Sequence, residues 1–217
     1  ETQLDQIGAI LRQFQPLEVK IAHTPQERDV LWRGRRSAAG AISRTSPDVL
    51  LVDVSVPRSR LADAIQAIYE IGGKYQFRIG FLAHAGDGNL HPNILCDSSK
   101  PGEQERALYA AGEILRFCAS IGGSITGEHG VGLEKRNYLS TMYSPAEIDA
   151  MLDVKKVFDP QNLFNPGKIF TEDHHPANAT SEIDFQPGNY FQPASPVEAA
   201  EGLRSLQVAQ TATYITG

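Results

Sequence analysis

The stretch FRIGFLAHAGDGNLHPNILC, residues 77–96, places two apolar runs on either side of a turn-rich pentapeptide. The runs cover residues 77–84 and 90–96, and AGDGN lies between them. Short apolar runs joined in this way are typical of a β-hairpin, because glycine and asparagine adopt the backbone conformations that a tight turn needs. The stretch therefore predicts two antiparallel strands, around which the rest of the fold is arranged.

The neighbouring segments extend the hairpin to the order β-α-β-β-α-β. In chain order, the predicted elements are a strand, a helix, the hairpin, a helix and a short strand, at residues 49–56, 61–71, 77–96, 102–121 and 124–126. Gly72-Gly73 follows the first helix and is expected to close it. The order is that of the ferredoxin-like split βαβ arrangement, an antiparallel sheet with helices on one face. We therefore predict an α+β fold.

Further helices are predicted outside this unit. Residues 2–14 carry apolar side chains at helical spacing, and Thr24-Pro25 begins a second helix with a capping sequence. Ser144-Pro145 begins a C-terminal helix in the same way. Residues 171–217 show little periodicity. We expect one domain over residues 1–170, followed by a loosely ordered extension over residues 171–217.

Composition excludes several classes of function. A net charge of −6 argues against a nucleic-acid-binding surface, which needs clustered Lys and Arg. No apolar run reaches the ~20 residues that a transmembrane helix requires. Cys96 and Cys118 show no metal-like spacing, so we expect reduced thiols and a cytoplasmic location. The chain starts at Glu1, with helical signal almost at once, which indicates a fragment of a longer protein.

Two histidines flank the predicted turn. His84 ends one strand and His91 lies near the start of the other, so their imidazoles are expected close enough to hold one ion. Period-2 alternation places Asn93 on the same face as His91. The alternative is that both histidines are hydrogen-bonded residues at strand ends.

A second polar pair follows the last predicted strand. Glu128 and His129 are adjacent within GEHG, and successive extended residues point in opposite directions. One can therefore reach a metal while the other reaches a substrate. Glu128 with His84 and His91 makes a two-histidine, one-carboxylate set, which leaves coordination positions open. The alternative is a polar turn with Glu128 at a helix N-terminus.

Two other segments are less specific. The helix end WRGRR, residues 32–36, contains Arg35, and an arginine fork suits a substrate carboxylate. A solvated basic face is the better interpretation for Arg33 and Arg36. Residues 165–168, NPGK, form on their chemistry alone a turn-rich connector.

Taken together, these segments resemble the flavin-linked oxidases of the vanillyl-alcohol-oxidase type, in the group of the glycolate oxidase large subunit and D-lactate dehydrogenase. The motifs that carry the resemblance are WRGRR, the strand ending at Val56-Pro57-Arg58, HAGDGNLHPNIL, GGSITGEHGVGLEK and FDPQNLFNPGKIF. They occur in order over residues 1–170. The resemblance implies a bipartite enzyme in which an N-terminal domain holds FAD and this cap domain supplies the substrate site.

The same resemblance assigns roles residue by residue. His84, His91 and Glu128 match metal ligands, usually for zinc or manganese, and His129 matches the residue proposed as catalytic base. The substrate contacts that the resemblance implies are Asn93 and Arg35. Asn165 and Lys168 match the segment that returns the chain to the flavin domain, and we therefore expect them near the cofactor.

The resemblance also implies limits. The FAD-binding domain is absent from residues 1–217, so we expect the chain to need a flavin domain or subunit for activity. Leu50, Leu51 and Val52 stand where the 2-hydroxyglutarate branch has a lysine, which favours a small 2-hydroxy acid such as glycolate or D-lactate. Two alternatives remain: a self-contained metal-dependent enzyme, and a non-catalytic module that docks a flavin subunit. A homodimer is compatible with the apolar surface of an isolated domain.

Overall fold

The computed structural model describes residues 2–170, and the predicted extension at 171–217 lies outside the described residues. The chain divides into two compact units at the step from Asp48 to Val49. Among the described residues, the first unit comprises residues 2–48 and the second comprises residues 49–170.

The first unit contains two helices, α1 (Gln3–Gln13) and α2 (Pro25–Ser43). Each begins with a capping box, in which Thr2 or Thr24 exchanges hydrogen bonds with an acidic residue three positions later. Both predicted helices are confirmed, and α2 continues beyond the WRGRR segment. Neither helix contains a buried residue.

The second unit is built on a small antiparallel sheet. Its strands are β1 (Asp48–Leu51), β2 (Val54–Ser55), β3 (Arg78–His84) and β4 (Asn89–Cys96). β4 pairs with β3 on one side and with β1 and β2 on the other. Ser124 forms an isolated antiparallel bridge to Ser55. The hairpin and the split βαβ strand order are therefore confirmed.

Two predicted strands differ in detail. The expected strand at 49–56 is interrupted at Val52-Asp53, where the Asp53 side chain turns to bind residues 126–129. The expected strand at 124–126 is reduced to the single bridge at Ser124, because Thr126 and the residues after it hydrogen-bond to Asp53 instead of to a neighbouring strand.

Two helices cover one face of the sheet. α3 (Leu61–Lys74) contacts β3, α4 (Glu103–Ser120) contacts β2 and β4, and the two helices contact each other. The core between them includes fully buried aliphatic side chains of both layers: Val54, Ile68, Leu90, Ile94 and Ile114. Burial of each such side chain stabilises the fold by about 1.5–3 kcal/mol.

Gly72-Gly73 does not end α3 as predicted, since the helix continues to Lys74. A Cβ at Gly72 would lie 2.6 Å from Cγ1 of Ile79 and 3.1 Å from the carbonyl oxygen of Phe77. Gly72 therefore allows the last turn of α3 to lie against β3.

The C-terminal helix α5 (Pro145–Phe158) begins at the predicted cap, Ser144, and ends before Asp159-Pro160 as expected. The Asp159 carboxylate accepts hydrogen bonds from the amide groups of Leu163 and Phe164 and from the Lys155 ammonium group. These contacts fix the turn that follows α5. Among residues 2–170, no helix combines the length and the apolar character needed to cross a membrane.

Candidate metal centre

The two hairpin histidines share one face of the sheet. His91 lies opposite Leu82 in the register of β3 and β4, and His84 is two residues beyond Leu82. The imidazoles are therefore diagonal neighbours, with ring centroids 5.5 Å apart. His84 is directly opposite Asn89, so the expected proximity of the two rings arises from a diagonal contact.

Strand β4 is buried on both faces. Leu90, Pro92 and Ile94 lie on the core side, as predicted. His91 and Asn93 lie on the other side and are each only 6% exposed. His91 is therefore held in a fixed place, while the His84 side chain remains 46% exposed.

Glu128 completes the cluster. Its Oε1 atom is 3.0 Å from Nε2 of His91 and 3.6 Å from Nε2 of His84, and one ligand atom from each of the three residues lies within 4.8 Å of the others. A tetrahedral ion with bonds of 2.0–2.1 Å separates its ligand atoms by about 3.3 Å. The distances to Glu128 lie on either side of that value, and the donor types suit zinc or manganese.

His129 lies beside the cluster. Its ring stacks on that of His91, with centroids 5.4 Å apart and planes inclined by 22°, and its Nε2 atom is 3.7 Å from Oε1 of Glu128. The side chain is 48% exposed. His129 can therefore meet a solvent-borne ligand that contacts the same carboxylate.

Asp53 organises this region, although sequence reasoning did not single it out. Its carboxylate is 1% exposed and accepts hydrogen bonds from five groups. The donors are the hydroxyl of Thr126, the backbone amides of Gly127, Glu128 and His129, and the ammonium group of Lys135. Oδ1 of Asp53 also lies 3.6 Å from Nδ1 of His91. One buried carboxylate thus holds the loop that carries Glu128 and His129, and it also faces a histidine of β4.

These contacts set the charge of Asp53. Burial raises the pKa of the Asp53 carboxyl, but the amide of His129, the ammonium of Lys135, the amide of Gly127 and the hydroxyl of Thr126 outweigh burial. The net result is a pKa well below the usual range of an aspartate, so the group is ionised at neutral pH.

Burial also shifts the pKa values of His91 and Lys135, which lie next to Asp53. Burial lowers the pKa of His91, against the opposing effect of the Asp53 and Glu128 carboxylates, which favours the neutral imidazole that a metal needs. Burial also lowers the pKa of Lys135, and Asp53 opposes that change. Lys135 additionally donates to the backbone carbonyl of Asp53 at 2.7 Å, so this buried ammonium group has two acceptors on one residue.

A signal for Asp53 and Lys135 existed in the sequence. Asp53 interrupts the apolar run VLLVDVSV, and a charged residue inside such a run is rarely buried unless it is paired. Lys135 ends the GEHGVGLEK segment. No spacing rule connects them, because they lie 82 residues apart in the chain.

The other predicted site residues fall in three places. The Asn93 side chain lies on the His91 face, and its amide donates to the backbone carbonyl of His91 at 2.8 Å. Arg35 belongs to α2 in the first unit. Asn165 and Lys168 are exposed in the turn after α5, where the Lys168 amide donates to the Asn165 carbonyl. The structure thus brings His84, His91, Glu128 and His129 together, while the substrate and cofactor roles stay predictions.

The fold and the cluster describe an α+β domain with a candidate metal centre, and comparison with known proteins identifies its family. Residues 1–169 match the family of FAD linked oxidases, C-terminal domain, and the chain belongs to this family. The resemblance seen in the sequence motifs is thereby confirmed.

Individual relatives are similar over most of the chain. The glycolate oxidase subunit GlcD of Bacillus subtilis is 42% identical over 173 residues, which cover 80% of this chain and 37% of the relative. GlcD of Escherichia coli K12 is 40% identical over 76% of this chain and 33% of the relative. D-lactate dehydrogenase of Anaerostipes hadrus is 30% identical over 76% of this chain and 35% of its own length. The chain therefore spans about a third of the length of the curated relatives it matches.

Proposed function

We propose that this chain is the metal- and substrate-binding part of an FAD-dependent dehydrogenase that oxidises a small 2-hydroxy acid to the 2-oxo acid. The observation that carries the proposal is the convergence of His84, His91 and Glu128 on one point beside His129. The relatives support the reaction class, since they include a glycolate oxidase subunit and dehydrogenases of D-lactate and D-2-hydroxyglutarate.

His84, His91 and Glu128 would hold a divalent cation, for which zinc and manganese are the candidates. Such a cation would lower the pKa of the substrate hydroxyl group, and three protein ligands would leave other coordination positions open. The ligand set also suits the chemistry because a buried, neutral His91 anchors one side while the exposed His84 and Glu128 leave the other side open.

His129, Arg35 and Asn93 are the residues proposed to act on the substrate. His129 accepts the proton of the substrate hydroxyl group, and its position against His91 and Glu128 keeps its ring at the mouth of the cluster. For the contacts to the substrate, the family resemblance supports Arg35 as a partner of the carboxylate and Asn93 as a second polar residue. Asn165 and Lys168 would lie near a flavin-binding domain or subunit, whose FAD would supply a two-electron acceptor.

We infer a substrate with one carboxylate from the residues before Asp53. Leu50 and Val52 are buried, Leu51 is 41% exposed, and all three side chains are aliphatic. An aliphatic stretch offers no partner to a second carboxylate, whereas a lysine would. Glycolate and D-lactate therefore suit the chain better than a dicarboxylate. The cytoplasmic location and the homodimer stay predictions.

The metal site is tested by metal analysis of the purified chain. We expect about one zinc or manganese ion per wild-type chain and its loss from the His84→Ala/His91→Ala variant, because each substitution removes a ligand atom. The matched control is His23→Ala, which removes an exposed histidine of the first unit and should retain the metal.

Mass spectrometry of metals after dialysis against metal-free buffer, and again after reloading with zinc, gives the stoichiometry. Equal metal content in the wild type and the double variant would contradict the proposed site. A metal that His23→Ala also loses would have been bound outside the cluster.

A further inference from the structure

We propose that Asp53 is a positioning residue of the candidate metal centre, which holds the His91 imidazole with its proton on Nδ1 so that Nε2 faces the cation. The inference rests on the proposed metal site and goes beyond it, because Asp53 is not among the ligands. It concerns the orientation of the His91 ring and which of its nitrogens would bind the cation.

The first observation is the environment of the His91 ring. Nε2 is 3.0 Å from the Glu128 carboxylate, on the side where the cation would be held. Nδ1 is buried, has no hydrogen-bond partner, and lies 3.6 Å from Oδ1 of Asp53. A movement of about 0.6 Å brings this pair within the usual N–H···O range. Histidines that bind metals commonly donate their other ring N–H to a carboxylate, which fixes the tautomer.

The second observation is that the two oxygens of Asp53 have different partners. Oδ2 accepts from Thr126, Gly127 and His129 at 2.9–3.1 Å, and from the Lys135 ammonium group at 3.1 Å. Oδ1 accepts only from the Glu128 amide, which lies 3.2 Å from both oxygens, and otherwise faces Nδ1 of His91. The carboxylate is therefore fixed by Oδ2, which leaves Oδ1 to act on the histidine.

This asymmetry predicts what asparagine would do at position 53. The oxygen of the amide would occupy the Oδ2 position, because the donors of residues 126–129 and Lys135 all need an acceptor there. The NH₂ group would then face Nδ1 of His91. A donor at that place favours the tautomer with a bare Nδ1 and a proton on Nε2, and a protonated Nε2 cannot bind a cation.

The experiment compares wild type, Asp53→Asn and Thr126→Val in the full 217-residue chain. Competition with a chromophoric chelator gives the affinities for Zn²⁺ and Co²⁺. We expect Asp53→Asn to lose about 10- to 100-fold in affinity, as for other partners of metal-bound histidines. Thr126→Val removes one hydrogen bond to Oδ2 but keeps the carboxylate, so we expect a change of less than about 3-fold on the same scale.

Nitrogen-15 spectra of the imidazoles separate tautomer control from simple support of the loop. In zinc-free Asp53→Asn we expect the His91 proton on Nε2, with the amide signals of residues 127–129 kept near their wild-type positions. In zinc-loaded wild type we expect the metal on Nε2 and a slowly exchanging proton on Nδ1. The second measurement does not depend on the folding of any variant.

Three results would overturn the inference. The first is wild-type affinity in Asp53→Asn, and the second is loss of affinity together with the amide signals of residues 127–129, which would make Asp53 only a brace for the loop. The third is zinc on Nδ1 of His91 in the wild type. A wild-type chain that binds no zinc would instead refute the proposed metal site itself, so the two failures are distinguishable.

Discussion

His129 follows the carboxylate of the cluster directly in the chain, yet its ring returns to stack on His91. The arrangement depends on Asp53, which accepts the amide N–H of His129 at 3.1 Å and fixes the backbone from which the ring projects. Its orientation is therefore set by main-chain contacts, while the imidazole nitrogens stay available for chemistry.

His129→Asn tests the proposed base in the chain joined to its flavin-binding domain or subunit. Asparagine keeps a polar side chain but cannot accept the substrate proton, so kcat/KM for the 2-hydroxy acid should fall about 100- to 10,000-fold. Steady-state turnover with an artificial electron acceptor measures the loss. Zinc content should stay at the wild-type value, and unchanged turnover would contradict the role of His129 as the base.

The sequence predicted the residues of the cluster but not the residue that organises them. His84, His91 and Glu128 lie in glycine-flanked segments whose composition itself indicates a site. Asp53 lies in a strand-like run, and its partners at 126–129 are mainly backbone amides, which every residue possesses. Only the folded chain identifies those amides as its partners.

At the scale of the element, the hairpin turn is the most constrained part of the site. Gly88 has φ of +76°, and a Cβ there would lie 2.1 Å from the carbonyl oxygen of Val56. The Gly88 carbonyl in turn accepts the Val56 amide at 2.9 Å. The turn that separates His84 from His91 is thus hydrogen-bonded to Val56, directly after β2.

Gly88→Ala is therefore expected to destabilise the chain by at least about 2 kcal/mol, since it combines an unfavourable φ with a backbone clash. Gly86→Ala is the matched control in the same turn, because nothing lies within 4 Å of its Cβ position. Its free energy of unfolding should change by less than about 0.5 kcal/mol. Urea unfolding followed by circular dichroism compares the two, and equal effects would contradict the close approach of Gly88 to Val56.

The elements that sequence predicted best are those with local signals. Apolar side chains at helical spacing predicted α1, capping residues predicted where α2 and α5 begin, and the AGDGN turn predicted the hairpin. The prediction that Gly72-Gly73 ends α3 was wrong, because glycine also allows close packing, here of α3 against Ile79. The charged Asp53 within an apolar run is a local signal, but the interruption of the first strand at Val52-Asp53 depends on partners more than 70 residues away, which no local pattern identifies.

In the molecule as a whole, a cation at the proposed site would connect the hairpin with the loop at 126–129. A ligand that binds only the folded chain stabilises it, by about 2.7 kcal/mol at a free concentration 100 times its Kd. For a chain of this size we expect zinc to raise Tm by roughly 5–10 °C. Mg²⁺ prefers oxygen ligands and should leave Tm unchanged.

Differential scanning calorimetry with zinc, magnesium or a chelator measures this shift. The His84→Ala/His91→Ala variant should show no zinc-dependent rise. An equal rise in the wild type and the variant would show that zinc acts elsewhere on the chain.

The hydrogen bonds of Asp53 join residues between 73 and 82 positions apart in the chain. Contacts of such long range form only after the loop-closure entropy of the intervening segment has been overcome. His84 and His91 can approach each other as soon as the hairpin forms, whereas Glu128 is fixed only when the chain has closed around Asp53. An incompletely folded or newly synthesised chain thus has two imidazoles but not the complete proposed ligand set, so we expect it to bind a metal ion tightly only when folding is finished.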